Sequence, residues 1–205
     1  WAASLFTLLT SCGSQVQSPA PLLTSVAPPV VCGSQITTAV SITGSGLVPL
    51  HVDALVETPH AILPQIYLTQ KMHLDGSPGS GAETHLYDGA DALRVRWQST
   101  QQLTFDVYPG LVGYNPAQGM AGTDLEPGLY HVTVPNPDGQ RAALDGALTV
   151  VEPPVLRRVQ PVPSCNAQGE ATFDLTGQNF LRLGSDLPLV TFVSRTDPQV
   201  MTQRV

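Results

Sequence analysis

The 205-residue chain carries 9 basic and 16 acidic side chains for a net charge of −7, and Lys71 is its only lysine. No basic stripe is available to neutralise phosphates, which speaks against nucleic acid as a partner. At 42% hydrophobic the chain can bury a core, while 19 Pro and 18 Gly without long Ala/Glu/Lys-rich stretches argue against helices and for an all-β class of short strands joined by turns.

Ala2 to Leu9 form an apolar run too short to cross a bilayer, closed by Leu9-Thr10-Ser11-Cys12 and followed by Gly13. One reading is the buried first strand of a soluble domain with an ordinary core cysteine. The other rests on a resemblance: residues 1–11 look like the end of a bacterial lipoprotein signal peptide. In that family the cysteine, here Cys12, becomes the acylated N-terminus, and several acyl chains at about 0.8 kcal/mol per buried CH₂ hold a protein on a membrane. The chain starts at Trp1, with neither Met nor a positive segment ahead of the run, which fits a truncated leader. The resemblance implies a lipid-anchored protein of the cell envelope, and Gly13 in place of Asp is compatible with the outer membrane or cell surface. Residues 12–21 are rich in Ser, Gln, Pro and Ala and read as a flexible tether.

Leu22 to Val26 then read as an edge strand ended by Pro28-Pro29. Gln35 to Thr43 form a strand stopped by Gly44-Ser45-Gly46. Leu63 to Thr69 place Ile66 and Leu68 on one face, with Gln65 and Tyr67 on the other. Leu93, Val95 and Trp97 alternate with Arg94 and Arg96, which makes Trp97 the core aromatic of its strand. Leu103, Phe105 and Val107 alternate with Thr104 and Asp106. Leu129 to Val134 and Ala142 to Val151 flank a hairpin turn at Asn136-Pro137-Asp138-Gly139. Seven short strands with turns between them describe a β-sandwich.

A repeat overlies this pattern. Leu23, Val26, Pro28, Cys32, Gln35, Thr43 and Gly44 recur as Leu156, Val159, Pro161, Cys165, Gln168, Thr176 and Gly177, each 133 residues on, and Val40, Ile42 and Leu47 find apolar counterparts in Phe173, Leu175 and Phe180. A fixed offset means two copies of one module. Val26-x-Pro28, Val40 to Leu47, Pro127-Gly128-Leu129-Tyr130, Asn136 to Gly139 and Leu148-Thr149-Val150 together resemble an IPT/TIG domain, an immunoglobulin-like module. The resemblance implies one IPT/TIG domain over residues 22–152, with an insertion at about 48–92, and an incomplete second one over 153–205. In this position sandwiches often bury a tyrosine whose hydroxyl ties down a neighbouring loop, here Tyr130. No equivalent of Pro-Gly-Leu-Tyr follows in the second copy, so the natural protein is expected to continue beyond Val205.

The insertion holds four of the five histidines, His51, His60, His73 and His85. Three or more converging would make a metal site; otherwise they are a polar surface excursion. Asp75-Gly76 and Asp88-Gly89-Ala90-Asp91 read as turns in which Asp caps its own backbone rather than calcium loops. Tyr87, Tyr108 and Tyr114 lie in turn-rich stretches and are candidates for stacking on a sugar. Cys32 and Cys165 would need Cα atoms within about 7 Å to bridge, whereas equivalent points of tandem domains lie roughly 35 Å apart. They read as small buried residues at a repeated position. No nucleophile elbow, zinc-protease helix or phosphate loop is present, so neither catalysis nor a cofactor is expected. The expected role is a surface-anchored binding or structural module for adhesion or glycan recognition. The alternative is a set of spacer domains in a larger surface enzyme, such as a polysaccharide hydrolase.

Overall fold

Alternating residues 22–27 form β1 (Leu22–Ala27), which ends at Pro28-Pro29, where neither residue can donate to a ladder. The structure, a computed structural model, describes residues 18–34, 37–52, 60–86, 95–113, 121–160, 172–182, 188–193 and 200–204. After the prolines the chain crosses to a different sheet as β2 (Val30–Cys32). The first module continues with β3 (Thr38–Ser45), β4 (Leu50–Val52), β5 (His60–Ile62), β6 (Ile66–Met72), β7 (Glu83–Leu86), β8 (Val95–Ser99), β9 (Gln102–Val107), β10 (Gly128–Pro135) and β11 (Arg141–Val151). Beyond it lie β12 (Val155–Gln160), β13 (Asp174–Gln178), β14 (Leu189–Val193) and β15 (Val200–Arg204).

Two larger sheets carry the first module. One has the order β1-β3-β9-β8 and the other β2-β11-β10-β6-β7, and every pairing in them is antiparallel except that of β2 with β11. Their inward residues form one core: Leu23, Val40, Ile42, Leu103 and Phe105 from the first sheet meet Ile66, Leu68, Tyr130, Val132, Leu148 and Val150 from the second. The described chain is all-β with no helix, an arrangement compatible with a β-sandwich.

The alternation expected for β6 and β9 holds, with Ile66, Leu68, Leu103, Phe105 and Val107 all fully buried. Trp97 differs. It pairs with Leu103 on an edge strand, stays 36% exposed, and donates its indole N–H to the Leu47 carbonyl at 2.8 Å. An edge strand leaves its ring at the core's margin, so Phe105 is the central aromatic. The segment 48–92 is also more than an excursion, because β6 lies between β10 and β7 and Ile66, Leu68 and Leu86 complete the core. Among its described residues, only β4 and β5 pair apart from the two larger sheets.

Tyr130 is buried and its hydroxyl donates to the Glu126 carbonyl at 2.8 Å, the loop tie expected of it. The 136–140 turn forms as the sequence indicates, with Gly139 at φ 87°. Asn136 does more there. Its buried amide donates to the Gly46 carbonyl at 2.7 Å and accepts from Val48 N–H at 3.3 Å, tying this turn of one sheet to the chain leaving the other. Cys32 is buried and unbridged, as a small core residue; Cys165 lies outside the described residues.

The 133-residue repeat persists in the pairing. Leu22, Leu23, Ser25, Val26 and Ala27 pair with Ser45, Gly44, Thr43, Ile42 and Ser41. Val155, Leu156, Arg158, Val159 and Gln160 pair with Gln178, Gly177, Thr176, Leu175 and Asp174, the same register with the same one-residue bulge. A Cβ built on Gly44 would collide with the Leu22 carbonyl, and one on Gly177 with the Val155 carbonyl. Both repeated glycines are there because the bulge brings a partner backbone onto them.

Candidate ligand-binding face of the five-stranded sheet

Period-two alternation turns Tyr67, Thr69 and Lys71 of β6, and His131 and Thr133 of β10, away from the core. The same face receives Glu83 and His85 from β7, which pair with Thr69 and Tyr67. Two irregularities in the ladders then shape this face. On one side of β10 the register with β6 slips so that Lys71 has no direct partner between the Leu129–Met72 and Tyr130–Gln70 pairs. On the other side, between the Tyr130–Leu148 and Val132–Leu144 pairs, His131 faces a β11 stretch of Asp145, Gly146 and Ala147, with Gly146 at φ 57°. Bulges re-aim side chains, and these two bring Lys71 and Asp145 together across the intervening strand.

Lys71 Nζ donates to both oxygens of Asp145, each at 2.7 Å, and His131 Nδ1 donates to Oδ1 at 2.6 Å. With Nδ1 so engaged, Nε2 is the nitrogen left for a ligand. The hydrogen bond from Lys71, followed by the charge of His131, holds the Asp145 carboxyl below its usual range. It therefore stays ionised, a fixed acceptor among donors. Beside it the Tyr67 and His85 rings stack with centroids 4.1 Å apart and planes 17° from parallel, and Glu83 Oε2 reaches His85 Nε2 at 3.0 Å. The face thus carries a stacked ring pair and a charged donor–acceptor cluster on neighbouring strands.

Among the described residues, the histidines of the segment 48–92 are not assembled. His51 and His60 lie in β4 and β5, where they pair with Ala61 and Val52; their side chains lie outside the described residues. His73 follows β6 and is taken up locally: buried Gln70 donates to its Nδ1 at 3.3 Å and to the Pro127 carbonyl at 3.2 Å, and accepts from Ser80 N–H at 3.2 Å. His85 pairs with Tyr67, six residues back along the hairpin from His73, or about 20 Å of strand. Among the described residues no three His, Cys, Asp or Glu side chains converge as metal ligands would. Asp75 caps its own turn, accepting from Ser77 N–H at 2.9 Å and its hydroxyl at 2.6 Å, and these bonds lower its pKa.

Of the three tyrosines singled out in the sequence, Tyr108 is half-buried and packs against the core, while Tyr87 and Tyr114 lie outside the described residues. Cys12 lies outside them too, as does most of the tether. The tether's last residues are held: Ser18 N–H and hydroxyl donate to Asp138 Oδ2 at 3.0 and 2.6 Å, and Gln140 donates to the Ser18 carbonyl at 2.6 Å.

Fold and face together define an all-β protein with a core shared by two sheets and a polar, ring-bearing outer surface on one of them. No protein-family model, curated protein or solved structure matches the chain.

Proposed function

We propose that the chain is a lipid-anchored binding module of a bacterial cell envelope, built from immunoglobulin-like domains of IPT/TIG type, and that the outer face of its five-stranded sheet takes a glycan or a glycan-bearing surface protein. The strand orders support the fold reading: β1-β3-β9-β8 facing β11-β10-β6, with the first strand divided between the sheets at Pro28-Pro29, correspond to the ABED and CFG sheets of that class. Tyr130 and its bond to the Glu126 carbonyl support it further. The observation that carries the binding reading is the pair of bulges that gathers Lys71, His131 and Asp145 beside the Tyr67–His85 stack. The apolar run before Cys12 supports the anchor.

Binding is tested on a glycan array with the wild-type chain and two variants. Asp145→Ala and His85→Ala are each expected to weaken the strongest signal at least tenfold with an unchanged melting temperature, since both side chains lie on the sheet's outer face. Undiminished signal from both variants would refute the assignment of this face. The anchor is tested separately, by acyl labelling in a bacterial host: Cys12→Ser is expected to abolish label and membrane association, and retained label would refute lipidation there.

One feature favours the spacer alternative. The chain comes in at Ser18, bound to the β10–β11 turn, and leaves after Val151 at the far end of β11. Eleven residues of strand separate these points by about 35 Å, so a module adds its full length to the reach of the protein.

A further inference from the structure

The hydrogen-bonding capacity that the Lys71, Asp145 and His131 cluster leaves over is lopsided. A lysine ammonium carries three donors and no acceptor, and Lys71 directs two of them at Asp145. An ionised carboxylate carries about four lone-pair positions and no donor, of which Asp145 gives two to Lys71 and one to His131. A neutral imidazole that donates from Nδ1 presents Nε2 as an acceptor. Among the described residues the cluster therefore retains one donor against two acceptors, and with Asp145 65% exposed they are open to a ligand from outside. Charge points the same way. Glu83 pairs with Thr69 and Thr69 with His131, so Glu83, Thr69, His131 and Asp145 form one row across four strands, with a carboxylate at each end about 14 Å apart. At slightly alkaline pH, where imidazoles are neutral, Lys71 offsets only one of these two negative charges. Arg141 stands opposite Pro135, about 13 Å further along β11 from Asp145.

We propose that this face selects uncharged sugars through their hydroxyl groups and rejects sugars that bear a carboxylate or a sulfate. The inference rests on the glycan-binding role proposed above for the face and fixes the class of glycan. A hydroxyl both donates and accepts, so neighbouring hydroxyls of one sugar can donate to Asp145 and to His131 Nε2 while one of them accepts from Lys71. That matches two acceptors and one donor. An anionic substituent supplies acceptors alone, and it would meet Asp145 and Glu83 as like charges, which is the repulsive element that selectivity needs.

The test is a matched-pair array probed with the full chain at slightly alkaline pH and low salt, with each neutral hexose oligosaccharide printed beside its sulfated and its sialylated form. The neutral member of each pair is expected to give the stronger signal, by about tenfold or more. Asp145→Asn removes one negative charge, keeps an acceptor oxygen and leaves the Lys71 charge unopposed, and it is expected to cut that preference by about tenfold, to parity or beyond. Glu83→Gln leaves Lys71 and Asp145 paired and is expected to shift the preference in the same direction by a smaller factor. Equal or stronger wild-type signals from the acidic members would overturn the proposal. So would a preference for neutral glycans that neither variant changes, because the selectivity would then not come from these carboxylates. Silence of every glycan, neutral and acidic alike, would instead overturn the binding role of the face itself, a result distinct from an inverted or unaltered preference.

Discussion

Replacing Phe105 by Ala is expected to destabilise the first module by about 3–5 kcal/mol. Phe105 is fully buried at the centre of β9, paired with Val40 on one side and Val95 on the other. Its ring belongs to the single core that both sheets bury, so truncation leaves a cavity that neither sheet can close without parting from the other. With typical domain stabilities of about 5–15 kcal/mol, the variant should unfold at a markedly lower urea concentration with an unchanged slope. A loss below about 1 kcal/mol, in the range of an ordinary surface substitution, would mean that the two sheets do not share this core in solution.

The second large effect is alkaline. Burial, with a smaller contribution from the charge of Glu126, pushes the Tyr130 hydroxyl up to about 12. An unfolded tyrosine titrates near 10. The folded state therefore holds this proton more tightly than the unfolded state, and its contribution is fully present below pH 10 and is lost as the pH rises through 12. Two units would correspond to roughly 3 kcal/mol in full, which solvent screening reduces to on the order of 1–2 kcal/mol. Tyr130→Phe removes the bond to the Glu126 carbonyl and should cost about 1 kcal/mol at neutral pH. Between pH 10 and 12 the variant should then lose less stability than wild type. Urea midpoints of both proteins across that interval test this, and parallel losses would show that the hydroxyl is not buried.

Much of the fold is legible locally. Alternation marks β6, β9, β10 and β11 because each has one buried face, and the shared Thr-Gly at 43–44 and 176–177 marks the bulged strand pairs β1–β3 and β12–β13. What escapes is non-local. Val30-Val31-Cys32 is too short to alternate visibly, and Pro28-Pro29 ahead of it signals a stop; that they also mark a change of sheet depends on β11, more than a hundred residues away. β7 has a single buried apolar residue, Leu86, and is recognisable only through its pairing with β6. Trp97 alternates correctly but lies on an edge strand, and edge position is a property of sheet order.

The candidate site escapes for the same reason. Lys71 stands out as the sole lysine, and His131 and Asp145 are outward by alternation, yet nothing in the sequence says that β10 lies between the other two strands. Their contact also needs both bulges, and a bulge in β11 shows in the sequence only as Gly146 inside a strand. The histidine cluster, by contrast, suggested a site through proximity along the chain. The β6–β7 hairpin instead spreads His73 and His85 apart.

The places where the chain comes in and leaves have a mechanical consequence. Tension applied through the residues before Ser18 and after Val151 runs along β1 and β11, each parallel to its own axis and in opposite directions. Ladder bonds lie across the strands, so the rows joining β1 to β3 and β11 to β2 and β10 are strained together in shear instead of being peeled one at a time. The module is thus connected in the orientation in which a sheet best resists being stretched.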